Sequence, residues 1–481
     1  MNGRFIAQQQ EHRMGPKTQD RHIKFNLAIL SSGMSLSWPS PVLVKLRNPT
    51  ETPLPEPITD EEGSWIVSAG FLCCLVSNIF GGMLLDVIGR KYCILLAMLP
   101  KLLISFILIF ANRVWMFIFC RAVMMMTDSL VYMVVPVYAS EIACKDNRGA
   151  LGTFLQIFSS LGIVVTLGVG PFLSYTIYSV VLTATIAVCT IPLIFLPDTP
   201  FHLYAKGRID DAMKVLSSIR GSEEKAKQEM EEYRSSKNNE EKSAKMALFK
   251  NRMFLKSVSL GILVVGGAQL TGFNAVQFYL QTILESTQTS VKPEIASVTI
   301  GIIQMLASFF TTPITSRFNR KTILLTSLSG ISFGMLGLGA FFKTIETEGY
   351  KITGFMNYLP MISLILVIFC YCAGIGSLLW VIVTEIFEGP ARALGFSISV
   401  NSTSILVFLT TKYLATMIST VGPAATYWFF SCMCVLVGTL IYIFLPETKG
   451  KTFGEIQEAL GVKKAVVKDK TADGKKEKSN V

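Results

Sequence analysis

Leu445-Pro446-Glu447-Thr448 closes the last apolar run of the chain, and Leu196-Pro197-Asp198-Thr199 closes an earlier one near its middle. Working back from each tetrapeptide, Glu141 precedes Arg148 by seven residues, and Glu385 precedes Arg392 by the same seven. Further back, Arg90-Lys91 follows the second apolar run of the first half, and Arg320-Lys321 follows the second run of the other half. Three landmarks in one order, at similar offsets, are hard to obtain by chance. The chain reads as a tandem repeat.

Between the landmarks lie apolar runs near residues 25–44, 64–85, 92–111, 114–138, 150–173 and 177–197, then 254–284, 295–316, 322–342, 355–384, 393–417 and 424–445. A bilayer core needs about 20 apolar residues in a helix, so the pattern predicts twelve spans, six in each half. Composition agrees: of 481 residues 51% are hydrophobic and only 16% charged, with a mean hydropathy of +0.49, where a soluble chain has about a quarter charged. Each span has to satisfy its backbone groups internally, which predicts an all-α membrane protein. The expected organisation is a cytoplasmic N-terminus over 1–24, six-helix bundles over 25–197 and 254–445, and a cytoplasmic linker with short helices over 198–253. A cytoplasmic tail over 446–481 completes it, disordered from about 463.

Charge sets the orientation. Arg13, Lys17, Arg21 and Lys24 precede the first span, Arg90 and Lys91 follow the second, and Arg317, Arg320 and Lys321 follow the eighth, while seven lysines from Lys463 to Lys478 fill the tail. The 46–62 loop is acidic instead, with Glu51, Glu56, Asp60, Glu61 and Glu62. The positive-inside rule then places both termini in the cytoplasm. The net charge of +11 is read as topology rather than as a nucleic-acid surface, with the lysine-rich tail lying against anionic lipid. No cleaved signal peptide is expected, because residues 1–24 contain no apolar stretch. The ten cysteines show no metal-ligand spacing, and His12, His22 and His202 all fall in polar stretches. No metal, cofactor or enzymatic chemistry is expected. No phosphate-cradling loop is present either, so direct ATP drive is not expected.

Parallel six-span repeats related by an axis along the membrane normal are a transporter architecture, and they favour a rocking carrier over a receptor or pore. The motifs point further. Gly82-Met83-Leu84-Leu85-Asp86-Val87-Ile88-Gly89-Arg90-Lys91, Pro136-Val137-Tyr138-Ala139-Ser140-Glu141 with Arg148-Gly149, Gln269-Leu270-Thr271-Gly272-Phe273-Asn274-Ala275-Val276, and Pro446-Glu447-Thr448-Lys449-Gly450-Lys451-Thr452 occur in this order. Together they resemble the sugar-porter branch of the major facilitator superfamily, and within it the animal facilitative hexose and insect trehalose carriers. The resemblance runs to about residue 461 and implies two pseudo-symmetric six-helix bundles around a central cavity. Val87 departs from it, standing where an arginine is usual.

At the inner face the repeat places Asp86, Arg90, Glu141 and Arg148 in one half, and Arg320, Glu385 and Arg392 in the other. Boundary charges are expensive to isolate and tend to pair. The plain reading is that they anchor helix ends. The sharper one is a cytoplasmic gate whose pairs form when that side closes and break when it opens, favoured by the repeated spacing and by the resemblance. The second copy is degraded, with Ser316 and Asn319 replacing an acid and a glycine. Within the spans, amides are uncommon and informative, since they offer donors and acceptors to hydroxyls. Gln156, Gln269, Asn274, Gln304 and Trp380 correspond to substrate-contact positions of the resembled family, with Gln304 in place of an asparagine. Phe273, Tyr279 and Tyr371 would add apolar walls or an outer gate, and Gly374 and Gly376 would loosen the tenth span. The competing reading of each amide is an interhelical hydrogen bond. Ala268, Cys372, Ser377 and Thr403-Ser404 depart from the family pattern and leave the solute open.

Proton-coupled members of the resembled family carry an acid in the first span facing an arginine in the fourth. Gly33-Met34-Ser35-Leu36-Ser37-Trp38-Pro39-Ser40-Pro41 contains no acid. Arg121 matches the arginine, with an interfacial anchor as its plainer role. Asp128, seven residues on and about 10 Å along the axis, is an intramembrane carboxylate and so a candidate for proton coupling with Arg121, ranked below passive transport, with burial as the neutral acid or pairing with a polar neighbour as the structural alternatives. Lys101 and Lys412 have no evident partner in the sequence. The leading expectation is a monomeric facilitative carrier of a sugar or polyol in the plasma membrane, with a proton symporter and a non-transporting solute sensor as alternatives.

Overall fold

In the computed structural model the described residues are 16–142, 148–237, 252–347, 352, 354–387, 390–451 and 453–459. They form helices and connecting turns. Eleven of the helices are long and apolar enough to cross a bilayer, and Phe154–Val169, within the helix Arg148–Val169, is a shorter apolar one. The twelve spans fall into two six-helix lobes.

The first span runs as Pro16–Ser37 and Pro39–Arg47, followed by Asp60–Ile88, Arg90–Ile109, Val114–Ile142, Arg148–Val169 and Tyr175–Ile194. The second lobe repeats the order with Arg252–Ser286 in several pieces, Pro293–Arg317, Arg320–Ile345, Leu359–Ile386, Pro390–Val421 and Pro423–Phe444. Packing repeats as well. The third span lies against the fourth and sixth, as the ninth lies against the tenth and twelfth. The first lies against the fifth, as the seventh lies against the eleventh. Lobe meets lobe along the second and eleventh spans and along the fifth and eighth. Exchanging the halves maps one seam onto the other, as a pseudo-twofold axis between lobes requires.

Local chemistry explains where the helices start and loosen. The second span opens on a capping box: Thr59 Oγ1 accepts from Glu62 N at 3.2 Å, and Glu62 Oε2 accepts from Thr59 N at 2.9 Å. The first and fifth spans touch backbone to backbone at Gly33, where a Cβ would lie 2.1 Å from the Ser159 carbonyl oxygen; small residues permit such crossings in membranes. The second lobe is less regular than the first. Its seventh span turns through a π segment at Ile262–Gly266 and breaks at Gly272, whose φ of +79° suits glycine alone, with the Phe430 ring filling the place of a side chain. Its tenth span has a second π segment at Tyr371–Ile375, between Leu359–Cys370 and Gly376–Ile386. π segments recur at functional sites.

The linker folds into Pro200–Ala205, Ile209–Arg220 and Glu223–Lys237 around a small core of Leu203, Ala212, Leu216, Ala226 and Met230. Arg220 fastens it to the fourth span, bonding Glu229 at 2.6 Å and the Ile142 carbonyl at 2.8 Å. Burial, and then the neighbouring Glu229, push the Tyr233 phenol above its ordinary range.

Candidate transport site

The amides of the seventh span bond one another, and Gln304 of the eighth adjoins the tenth span at Cys372. Asn274 donates to Gln269 Oε1, and Gln269 Nε2 bonds the Val265 carbonyl at 3.1 Å within the π segment. Phe273 stacks on Tyr371, centroids 3.5 Å apart and planes within 4°, and Gln269 lies beside the same tyrosine. The two irregular segments of the second lobe therefore meet face to face. Gln304 is buried beside the Cys372 thiol, and its Oε1 has no partner among the described residues. Gly376 packs under the Tyr371 ring. Trp380 lies two turns further along the tenth span, exposed and tilted against Phe396 at 6.1 Å. Gln156, half-buried in the fifth span, lies one turn from Ser160, which bonds Ser308 of the eighth span across the seam at 2.8 Å. Of the expected cavity residues, Gln269, Phe273, Asn274 and Tyr371 form one bonded group. Gln304 and Gly376 adjoin it, Gln156 lies in the other lobe one turn from the Ser160–Ser308 bond, and Trp380 stands apart.

Contacts across the lobes close the end of the molecule that lies away from the linker helices. Lys412 of the eleventh span donates to Ser64 Oγ of the second at 2.9 Å and lies 4.1 Å above the Trp65 ring, with Glu61 at 4.0 Å. Trp65 packs on Phe408, and Phe71 on Phe278. Tyr279 donates to the Thr411 carbonyl at 3.3 Å, and Ser40 of the first span accepts from Gln281 N at 3.1 Å. Lys412 thus has partners from the opposite lobe. Asn78 joins it as a residue the sequence reading overlooked: its amide donates to Ser404 across the seam at 3.3 Å and accepts from Ser129. Its only signal was an amide within an apolar run.

On the inner face each lobe carries the same bracket. Arg90 bonds Glu141 at 2.8 Å, and its guanidinium also reaches the Leu85 carbonyl. Arg320 approaches Glu385 at 3.6 Å and reaches the Thr315 carbonyl. The acid of each closing tetrapeptide caps the helix that the arginine begins. Asp198 accepts from Arg90 N and Lys91 N at 3.2 and 3.4 Å, and Glu447 accepts from Arg320 N and Lys321 N at 2.9 and 3.2 Å. Thr199 lies beside Glu141, and its counterpart Thr448 bonds Glu385 at 2.6 Å. Asp198 and Glu447 were read as repeat markers only; their role needs the fold. His202, in a polar stretch of the sequence, is buried here against Arg90 and Asp198. The side chains of Asp86, Arg148 and Arg392 lie outside the described part of the structure. Both described pairs stay within a lobe while the outer side is closed.

Deep in the first lobe, Lys101 Nζ meets Asp128 Oδ1 at 2.6 Å and the hydroxyls of Ser31 and Ser32 at 3.1 and 3.2 Å. Asp128 is therefore matched by Lys101, and not by Arg121. Arg121 is no interfacial anchor: it is fully buried, its Nη1 bonds the Ser35 carbonyl and hydroxyl, and the Trp38 ring lies 5.8 Å away.

Residues 19–460 match the family model described as "Sugar (and other) transporter". Among curated proteins, the chain is 26% identical over 441 residues to the facilitated trehalose transporter Tret1 of Polypedilum vanderplanki, covering 91% of this chain and 87% of the relative. It is 28% identical over 436 residues to the Bombyx mori protein of the same name, covering 90% and 84%. Among solved structures, the partially occluded inward-open xylose transporter XylE from E. coli superposes with a TM-score of 0.76 at 18% identity, over 91% of this chain and all of that one. The proton:xylose symporter XylE bound to 6-bromo-6-deoxy-D-glucose gives 0.71 at 19% identity, over 92% and 98%.

Proposed function

Because the chain belongs to the sugar transporter family, whose members are membrane carriers and not enzymes, we propose that it moves a neutral sugar by facilitated diffusion, through alternating access between its two lobes. The substrate is a hexose or trehalose, the site is the amide group at Gln269, Asn274 and Gln304 with Gln156 opposite, and the carrier works as a monomer in the plasma membrane. The relatives named as facilitated trehalose transporters support this substrate class.

One observation carries the passive mechanism. The first span offers no carboxylate to Arg121, which bonds Ser35 instead, and the intramembrane acid, Asp128, is held by a lysine. Asp128 is thus engaged within its own lobe by Lys101, and does not face Arg121 as the acid of a proton-coupled carrier would. Amides and aromatic faces suit a solute with hydroxyls on its rim and C–H on its faces.

The test is uptake of labelled D-glucose and trehalose into proteoliposomes, with and without an inward proton gradient. Equilibration at the same rate and level in both conditions is expected. Accumulation above equilibrium under the gradient would overturn passive transport in favour of symport. Saturable binding with no uptake would make the protein a sensor.

A further inference from the structure

The seventh span carries more amides than the cavity uses. Beyond Gly272 the helix restarts, and Asn274, Gln277 and Gln281 follow at steps of three and four, along one face rising from the cavity towards the outer mouth. The first span runs beside it in the same direction. Trp38 keeps helical dihedrals, φ −50° and ψ −40°, so Ser37 and Ser40 share a face through the proline-rich stretch. The bond from Gln281 N to Ser40 Oγ fixes the register of the two helices. One turn further in on each, Gln277 and Ser37 reach the same depth.

Ser40 is engaged, but its neighbours are not. Gln277 is 1% exposed, and neither atom of its amide has a partner among the described residues. Ser37 Oγ and Gln281 Oε1 are likewise buried and unpartnered. Buried polar groups in a native fold are nearly always bonded, and inside a bilayer the penalty for leaving them bare is larger. The other faces of the same helix are packed normally, Phe278 on Phe71 and Tyr279 on Thr411. Trp38 Nε1 and Thr282 Oγ1 are bare as well, so unpartnered atoms run along both the first and the seventh spans, which the Gln281–Ser40 bond joins where lobe meets lobe. That contact has to part when the outer side opens, and these atoms then line the entry to the cavity. None of the three residues is charged; Glu285, one turn beyond, neighbours Gln281. Uncharged groups that both donate and accept match hydroxyls rather than ions.

We propose that Ser37, Gln277 and Gln281 form an outer subsite that takes the second ring of a disaccharide while its first ring occupies the central cavity. The subsite rests on the reading of this chain as a sugar carrier. Gln277 lies three residues beyond Asn274, about 4.5 Å along the axis, close to the offset between the two rings of a glycoside. A monosaccharide fills the cavity alone and leaves the subsite to water.

The test uses the purified full chain, with binding and proteoliposome uptake of D-glucose, trehalose and maltose. Gln277→Leu keeps the bulk and removes both amide atoms, and Ser37→Ala probes the seam from the opposite lobe. Each variant is expected to weaken disaccharide binding, Gln277→Leu at least tenfold, with glucose affinity held within twofold, and Gln277→Asn is expected to recover part of the loss. Gln156→Ala, in the central cavity, is expected to weaken all three sugars. Equal losses for glucose and disaccharides in Gln277→Leu and Ser37→Ala, or no loss in either, would overturn the subsite. A wild-type chain that carries glucose but binds neither disaccharide would overturn it too, leaving the carrier reading intact. A wild-type chain that binds no sugar would remove both.

Discussion

The two lobes share a scaffold and differ in where they keep their charges. At the inner face the first lobe's pair, Arg90 and Glu141, is 9% and 14% exposed and bonded at 2.8 Å, whereas Arg320 and Glu385 are 17% and 27% exposed and 3.6 Å apart. Arg320 Nε has no partner among the described residues, and no histidine stands where His202 backs Arg90. The interior repeats the contrast. Lys101 follows Arg90 by eleven residues, and Ile331 follows Arg320 by eleven; Asp128 precedes Glu141 by thirteen, and Cys372 precedes Glu385 by thirteen. The buried ion pair of the first lobe thus has an isoleucine and a cysteine as its counterparts. The second lobe instead holds both π segments and the broken seventh span. The buried ion pair thus belongs to the first lobe and the irregular helices to the second.

The strongest way to break this comparison is inside the first lobe. Asp128→Asn leaves the Lys101 ammonium buried among neutral groups only, and removing the charge of one member of a buried pair destabilises by about 3–5 kcal/mol. Thermal unfolding in detergent is expected to show that loss. The double variant Lys101→Met with Asp128→Leu, which gives the first lobe an apolar interior like the second, should recover most of it and retain gradient-independent uptake. A double variant that is stable yet inactive would assign Asp128 a transport role beyond structure.

At the inner face the expected effects are smaller and unequal. Glu141→Gln uncouples a largely buried arginine and should cost about 2 kcal/mol, while Glu385→Gln, partly wetted, should cost about 1 kcal/mol. Measured as paired unfolding shifts, the first should exceed the second. Equal shifts would mean that the difference in distance and exposure has no energetic meaning. Glu385→Ala also tests the gate: it is expected to raise the labelling of inner-face cysteines, and unchanged labelling would leave Glu385 as an anchor only.

The helix caps should show the opposite result. Asp198 and Glu447 accept the same two backbone N–H groups at the starts of the third and ninth spans, so Asp198→Ala and Glu447→Ala should each cost about 1 kcal/mol. Equal caps beside unequal pairs would confine the asymmetry to the side-chain brackets and leave the repeated backbone untouched.

These caps also mark where the sequence stops being legible. Twelve spans, the six-and-six division and the family followed from apolar runs and from motifs at matching offsets, because bilayer thickness and tandem duplication both leave linear traces. The pairing of Arg90 with Glu141 was recoverable, since both sit in quoted motifs. The pairing of Lys101 with Asp128 was not: they lie on different spans, and nothing in the spacing says that the third and fourth turn these faces to each other. Arg121, near a span end in the linear order, looked like an anchor, yet it is fully buried with Ser35 and Trp38 of the first span beside it. Gln277 and Gln281 stood outside the cavity motif and drew attention only when their partners proved to be missing. Lys412 likewise needed the eleventh span laid against the second.

That last contact gives the smallest effect and the closest view of lobe against lobe. Lys412→Met keeps a flexible apolar stem but loses the bond to Ser64 and the charge above Trp65. A cation over an aromatic face at a wetted site is worth about 0.5–1 kcal/mol, so the outer-closed population should shift by less than tenfold. Ser68, fully buried one turn inward of Ser64 and bonded to its carbonyl, is a suitable reporter. A cysteine in its place should react faster with an impermeant thiol reagent when Lys412→Met is present, against the background of the native thiols, and a saturating transported sugar should change that rate. An unchanged rate would mean that Trp65 on Phe408 and Phe71 on Phe278 close the outer side by themselves, with the lysine merely lying over a seal made by aromatic packing.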